Sequence, residues 1–332
     1  MIDSVFIEAI VKDHPVTKKV LQRLRNARTF EIDRHQEMFN RRQQNFRIQK
    51  QNPALILAKK YENFVLDAPS GFGISAQKNY YFSHMYNCIY DCRYCFLQGM
   101  YSSANYVLFV NYEDFFDSIE ETVSANKDTK ITFFSGYDCD SLAFEKITGF
   151  ANKSLDFFSK FNNVELELRT KSIVSDIFIN RQPLANCIIA YSLSPQGIAE
   201  ILDHKAPSVS RRICALKKLA KKGWSVGLRF DPLVYCSGWQ EMYSRLFENI
   251  FSDIDISKVH SVSHGPLRFP KKMYKKIAGL YPDDRLFSFP METKEGVVSY
   301  GNEIEEEMSD FLRVELAKYT SVGKIFRCMF SV

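Results

Sequence analysis

Between residues 80 and 278, short apolar runs alternate six times with longer amphipathic stretches, and few folds accommodate that order. Residues 80–86, 131–135, 164–169, 187–193, 224–230 and 259–263 read as strands. Residues 112–126, 141–160, 172–180, 208–222, 239–252 and 270–278 read as the helices between and after them. Strand, crossover helix and strand recurring in this way predict a parallel sheet covered by its own helices. In such α/β sheets the chemistry collects at the C-terminal ends of the strands. The segment leaving the first strand carries Cys88, Cys92 and Cys95, spaced C-x3-C-x2-C. Their loop is therefore expected at the functional end.

Three thiolates can hold three irons of a [4Fe–4S] cube and leave the fourth open to a small molecule, whereas four-cysteine sites close every iron and mostly carry electrons. The softness of the ligands supports the same reading. A structural zinc site takes four ligands, often as two C-x2-C pairs, and the only other Cys or His at a close offset is His84. Three buried, unreactive cysteines are the remaining possibility. Cys187, Cys214, Cys236 and Cys328 follow no ligand spacing, and eight cysteines so scattered do not form a disulfide framework. A reduced, cytoplasmic setting is expected. No run of 18 apolar residues occurs, so no membrane span and no membrane partner are expected, and the N-terminus lacks a signal-peptide pattern.

The spacing of the three cysteines is the hallmark of the radical SAM superfamily, and the residues after it narrow the resemblance. Cys95-Phe-Leu-Gln98 resembles the spore photoproduct lyase family. So do the blocks Leu168-Arg-Thr-Lys171-Ser, Tyr191-Ser192-Leu, Gly238-Trp239 with Tyr243, and Gly265-Pro-Leu-Arg268-Phe. The similarity spans nearly the whole chain. It implies a partial (βα)6 radical SAM barrel, with a basic N-terminal extension over residues 1–79, the barrel over 80–282, and a C-terminal β-hairpin plus helix over 283–332. It also implies a [4Fe–4S] cluster, S-adenosylmethionine (SAM), UV-damaged DNA as partner and a flavodoxin- or ferredoxin-type electron donor. The implied reaction is reductive cleavage of SAM to a 5′-deoxyadenosyl radical, hydrogen abstraction from a pyrimidine photoproduct, and C–C bond fragmentation.

Site residues follow from the same resemblance. Cys88, Cys92 and Cys95 would ligate the cluster. Asp140 would hold the SAM ribose, or simply cap the next helix. Lys171 would meet the methionyl carboxylate, or be a surface lysine at a strand end. Ser135, Gly136 and Ser192 would lie near the SAM amino group, or be ordinary strand and turn residues. Tyr94 matches a family tyrosine that returns hydrogen to SAM, or shields the cluster.

Three positions depart from the family. Tyr137 stands three residues before Asp140, where the lyase carries a hydrogen-donor cysteine, and Cys139 lies two residues further on. Either is a candidate donor, or the reaction needs none, and Cys139 can equally be a small apolar filler. Phe96 replaces a second tyrosine. Ser299-Tyr300 replaces an Arg-Tyr pair on the hairpin, where Tyr300 is expected to stack on a base.

Residues 1–60 carry 13 Lys and Arg against 6 Asp and Glu, while the remainder carries 31 against 33. This basic segment is expected either to hold nucleic-acid phosphates or to be a solvated face. Within it, residues 15–28 read as a helix and 31–50 as extended or loop. Two alternatives to the repair reading stay open: the same chemistry on RNA, peptide or another DNA base, and a non-catalytic, cluster-bearing nucleic-acid-binding protein.

Overall fold

The computed structural model describes residues 2–74 and 76–328. The six expected strands form at Lys78–Phe82, Ile131–Ser135, Val164–Thr170, Cys187–Ser192, Ser225–Leu233 and Val259–Pro266. They lie side by side in that order, each parallel to the next. Ile325–Arg327 adds a parallel strand at one edge and Leu66–Asp67 an antiparallel one at the other. The result is an open eight-stranded sheet, curled as a partial barrel.

Alternation along each strand separates two faces. On the third strand Val164, Leu166 and Leu168 join the main core. Glu165 and Glu167 point to the other, inner face, where Glu165 accepts from Thr132 and Glu167 from Arg229. The inner face is closed by a small apolar plug of Ile74, Phe134 and Ile188 and by the buried ion pair of Glu167 and Arg229. This pair is bidentate, with Nη2–Oε2 at 2.7 Å and Nε–Oε1 at 3.1 Å. Arg169 adds a third bond to Glu167 at 3.0 Å, and Ser261 takes two of the remaining Arg229 protons. Gly227 makes room for it, since a Cβ there would lie 2.6 Å from Arg229 Nη2.

The N-terminal segment is more than a helical extension. Ser4–Glu8, Arg28–Ile32 and Leu55–Ala58 form strands of a second sheet, completed by Tyr106–Phe109 and Met85–Tyr86 from beside the cysteine loop. These strands are only two to five residues long, too short to stand out by periodicity. The helix expected over 15–28 stops at Arg23, and residues 31–50 hold two single-turn helices, Gln36–Phe39 and Phe46–Gln49. The strand expected over 80–86 is split between the sheets: after Phe82 the chain crosses over, and the His84 carbonyl takes the amide of Phe109 at 2.9 Å. Gly149, at φ 66°, breaks the helix expected over 141–160 into Glu145–Thr148 and Phe150–Phe158.

The C-terminal hairpin pairs Glu292–Lys294 with Val297–Ser299 across Glu295-Gly296, both at positive φ, the geometry of a tight two-residue turn. Arg268–Pro270 forms its third strand, and the helix Asn302–Ala317 follows. Among the described residues no helix is long and apolar enough to cross a membrane.

Removing Glu167 leaves a guanidinium buried without its counter-charge. Glu167→Ala is expected to lower unfolding stability by about 3–5 kcal/mol, read as a denaturant midpoint of the cluster-free chain near pH 7. Arg229 holds the Glu167 carboxyl down at about 2, against an ordinary value of 4.5. The stabilisation is therefore complete above pH 4.5 and lost as pH falls toward 2. An unchanged midpoint in the variant contradicts this role.

Candidate active site

The cysteine loop is pinned on both sides of each cysteine. Asn87, at φ 66°, turns the chain into it, and its amide donates to the carbonyls of Ser103 and Asn105 at 2.8 and 2.7 Å. Asp91–Cys92 pairs antiparallel with Asp203–His204, so that Cys92 stands directly opposite Asp203. After Cys95 the short helix Leu97–Met100 begins, and Gln98 donates back to Asp91 at 2.8 Å. The three thiols line one chamber of about 230 Å³ at the C-terminal ends of the barrel strands. Among the described residues no three His, Cys, Asp or Glu converge on a single-ion position. His84 is not beside the thiols, because it lies in the core, stacked on Phe150 at 3.8 Å.

Whether an iron–sulfur cluster suits this chamber is tested by Lys50. Its buried ammonium donates to the carbonyls of Cys88 and Tyr90 at 2.7 and 3.2 Å. No ion pair among the described residues includes it. Burial pushes its pKa down, while Cys88, Asp91 and Cys95 pull it back. Burying a cation is costly, and three iron-bound thiolates would add to the negative charge that Asp91 supplies. The residues present therefore fit the cluster.

Lys171 and Tyr94 meet on the other side of Cys92. The Lys171 ammonium donates to Cys92 Sγ at 3.1 Å, to Asp203 at 3.0 Å and to the Tyr94 hydroxyl. The Tyr94 hydroxyl in turn donates to Asp203. The second oxygen of Asp203 pairs with Arg212 at 2.7 Å, both side chains fully buried. Burial opposes ionisation of Asp203, but Lys171 and Arg212 prevail and hold its pKa at about 2. Burial pushes the Cys92 thiol up to about 12, opposed chiefly by Lys171.

Asp140 also lines the chamber. Its Oδ1 accepts from the amides of Leu142 and Ala143 and from the Thr170 hydroxyl, and its Oδ2 from the Lys171 amide at 2.7 Å. Burial pushes its pKa up against these four donors. The capping arrangement thus exists, and one lone pair of Oδ2 is left over. Gly136 must be glycine: at φ 81°, a Cβ would lie 2.7 Å from Ser141 Oγ. Gly136 and Ser192 line the chamber. Ser135 is buried behind it, its hydroxyl without a partner among the described residues.

Tyr137 and Cys139 both reach the chamber. The Tyr137 ring packs between Tyr81 and Phe96, at 4.4 and 5.4 Å between centroids. The Cys139 sulfur takes a hydrogen bond from the backbone of Met85 in the N-terminal sheet. Tyr300 is not brought to the site. It is 1% exposed, packs against Phe289 and accepts the amide of Tyr235 at 3.1 Å, so its ring is unavailable to a base in this structure. Its place in the hairpin's apolar seam is the reason.

Sequence reasoning missed Asp203, Arg212, Lys50 and the chamber-wall pair of Asp231 with Arg268, joined at 3.1 and 3.2 Å. Lys50 was counted only as surface charge, and Asp203-His204 carries no motif. No local signal marks an acid that acts by pairing across a two-residue ladder.

The family model described as spore photoproduct lyase matches residues 1–317. The spore photoproduct lyase of Bacillus subtilis is 22% identical over 202 residues, covering 60% of this chain and 59% of that protein. That of Clostridium acetobutylicum is 21% identical over 226 residues, covering 67% and 66%. The chain thus spans about three fifths of the length of the curated relatives it matches. A solved spore photoproduct lyase complexed with dinucleoside spore photoproduct superposes with a TM-score of 0.85 at 18% identity, over 100% of this chain and 99% of that one. A double variant with bound AdoMet and the same dinucleoside gives 0.84, with the same identity and coverage.

Removing the buried charge beneath the loop should weaken cluster uptake. Lys50→Met is expected to lower iron affinity by about 3 kcal/mol, roughly a hundredfold, while Lys50→Arg retains most of it. Iron per chain after anaerobic reconstitution and gel filtration reads this out. Equal loading of Lys50→Met contradicts it.

Proposed function

This chain belongs to the spore photoproduct lyase family, and from that membership we propose that it repairs a pyrimidine photoproduct in DNA by radical hydrogen abstraction and C–C bond fragmentation. The observation that carries the proposal is the donor set of the chamber: three soft thiols in its lining, beside a buried ammonium that forms no ion pair among the described residues. When bound, a reduced [4Fe–4S] cluster with an open iron supplies the electron that cleaves SAM to a 5′-deoxyadenosyl radical.

The chain's own residues bind and orient. Lys171 exchanges its bond to Asp203 for one to the methionyl carboxylate, trading one charge-assisted contact for another. Arg212 keeps Asp203 compensated during that exchange. Asp140 offers its remaining Oδ2 lone pair to a ribose hydroxyl. Gly136, Ser192 and the unpartnered Ser135 hydroxyl are the candidates for the amino group. A flavodoxin- or ferredoxin-type protein would supply the electron.

Tyr137 is the favoured hydrogen donor. Burial pushes its phenol up to about 12, so it keeps its proton at neutral pH. Its O–H bond breaks as a C–H bond forms on the substrate radical, leaving a tyrosyl radical. Tyr94, which lines the chamber, would pass its hydrogen atom to the Tyr137 radical and take one back from the methyl group of 5′-deoxyadenosine, re-forming the adenosyl radical. Cys139 also stays protonated and also lines the chamber, which makes it the rival donor. One observation favours a second reading, in which the same chemistry acts on a different substrate: the buried Tyr300 offers no wedge to a damaged duplex.

The test incubates the reduced, reconstituted chain and SAM with dinucleoside spore photoproduct. Released thymidine is expected alongside 5′-deoxyadenosine. 5′-Deoxyadenosine with the photoproduct untouched favours the second reading. Tyr137→Phe is expected to lower thymidine yield by at least about tenfold while leaving 5′-deoxyadenosine formation intact. Cys139→Ala should stay within about threefold of wild type. The reverse pattern makes Cys139 the donor.

A further inference from the structure

We infer that the helix Lys271–Leu280 carries a cationic track that takes the phosphate backbone of the nucleic-acid substrate and leads it to the chamber mouth. The inference rests on the DNA reading above and adds the surface that holds the strand.

Lys271, Lys272, Lys275 and Lys276 are all exposed. At 100° per residue they occupy one side of the helix, and Met273, Tyr274, Ile277 and Leu280 occupy the other. The apolar side is spoken for: Ile277 is fully buried, and Met273 and Ile277 approach so closely that a Cβ on Gly99 would lie 2.8–3.0 Å from them. Gly99 belongs to the short helix that follows Cys95. The lysine side has no such employment. None of the four ammonium groups forms an ion pair or side-chain hydrogen bond with another described residue. Four like charges within two turns repel one another, and a polyanion relieves that repulsion.

The position of the track favours a nucleic-acid occupant. The strand Arg268–Pro270 runs directly into the helix, and Arg268 stands in the chamber wall. The Lys271 amide bonds the carbonyl of Gly296 at the hairpin turn, so hairpin, track and mouth form one continuous surface. A strand lying on the lysines therefore has its bases within reach of the site where one must enter. The two lysine pairs are about 6 Å apart along the helix axis, so more than one phosphate can be met.

Part of the basic N-terminal segment is engaged within the fold. Lys12 and Lys18 pair with Glu31 and Asp13. Arg23 and Arg25 bond the carbonyls of Ile147 and Gln22. Arg47 lies over the Tyr281 ring, and Lys50 lies beneath the cysteine loop. Lys19, Arg28, Arg41 and Arg42 are exposed and form no ion pair or side-chain hydrogen bond with another described residue, so an N-terminal control is part of the test.

The experiment measures binding of a short fluorescent DNA duplex to the full chain as a function of salt. Each lysine that neutralises a phosphate contributes about 0.9 to the slope of log K against log salt. The combined variant K271Q/K272Q/K275Q/K276Q is expected to lower that slope by about 3 to 4 and to weaken low-salt binding by at least about tenfold. The control K18Q/K19Q/R25Q is expected to bind as wild type. SAM cleavage with a chemical reductant, and turnover of the dinucleoside photoproduct, should be unchanged in both, which separates failure of the track from failure of the catalytic reading. If the fourfold variant does not fold, K271Q/K272Q and K275Q/K276Q should each lower the slope by about 2. An unchanged slope, a loss carried by the N-terminal variant, or a wild-type chain that binds no duplex overturns the inference. So does intact DNA binding with slowed reduction by an acidic flavodoxin, which would give the track to the electron donor.

Discussion

Three buried cations surround the cysteine loop, and the site is organised around their charge. Lys50 holds two carbonyls of the loop from the N-terminal side. Lys171 and Arg212 come from the barrel side and share the carboxylate of Asp203. Asp203 and Asp91 offset part of this charge, and three thiolates would offset more of it. It also fixes the loop mechanically, since Asp203 stands opposite Cys92 on a two-residue ladder. Loop shape and loop electrostatics are thus set by the same few contacts. Lys171 further ties the cysteine loop to the ladder strand, because one ammonium touches Cys92, Tyr94 and Asp203.

The barrel makes this possible by solving its own inner face first. Glu167 and Arg229 neutralise each other at the centre of the sheet, and Ile74, Phe134 and Ile188 fill the space around them. The chamber is therefore confined to the strand ends, where Gly136, Asp140, Thr170, Lys171 and Ser192 line one wall.

Much of this was legible in the sequence for identifiable reasons. The six barrel strands were found because crossover helices impose a repeated alternation, and the cysteine triplet because its spacing is rigid. Lys171, Asp140, Gly136 and Ser192 stand near strand ends and line the chamber. The N-terminal sheet escaped because strands of two to five residues carry too few alternations, and because two of them come from either side of the cysteine loop. Asp203 and Lys50 escaped because long-range pairing leaves no local pattern. Tyr300 was misplaced because hairpin sequence does not say which ring turns inward. Its burial keeps the hairpin's aromatic ring out of the chamber, while Tyr137 and Phe96 line it.

The central claim is that the chamber holds a cluster with one iron open to SAM. Electron paramagnetic resonance of the anaerobically reconstituted, dithionite-reduced chain, recorded with and without SAM, tests it most directly. About four irons per chain are expected, with a reduced-cluster signal whose g-values move when SAM is added. A chain that takes up zinc instead, or a cluster signal indifferent to SAM, would contradict it.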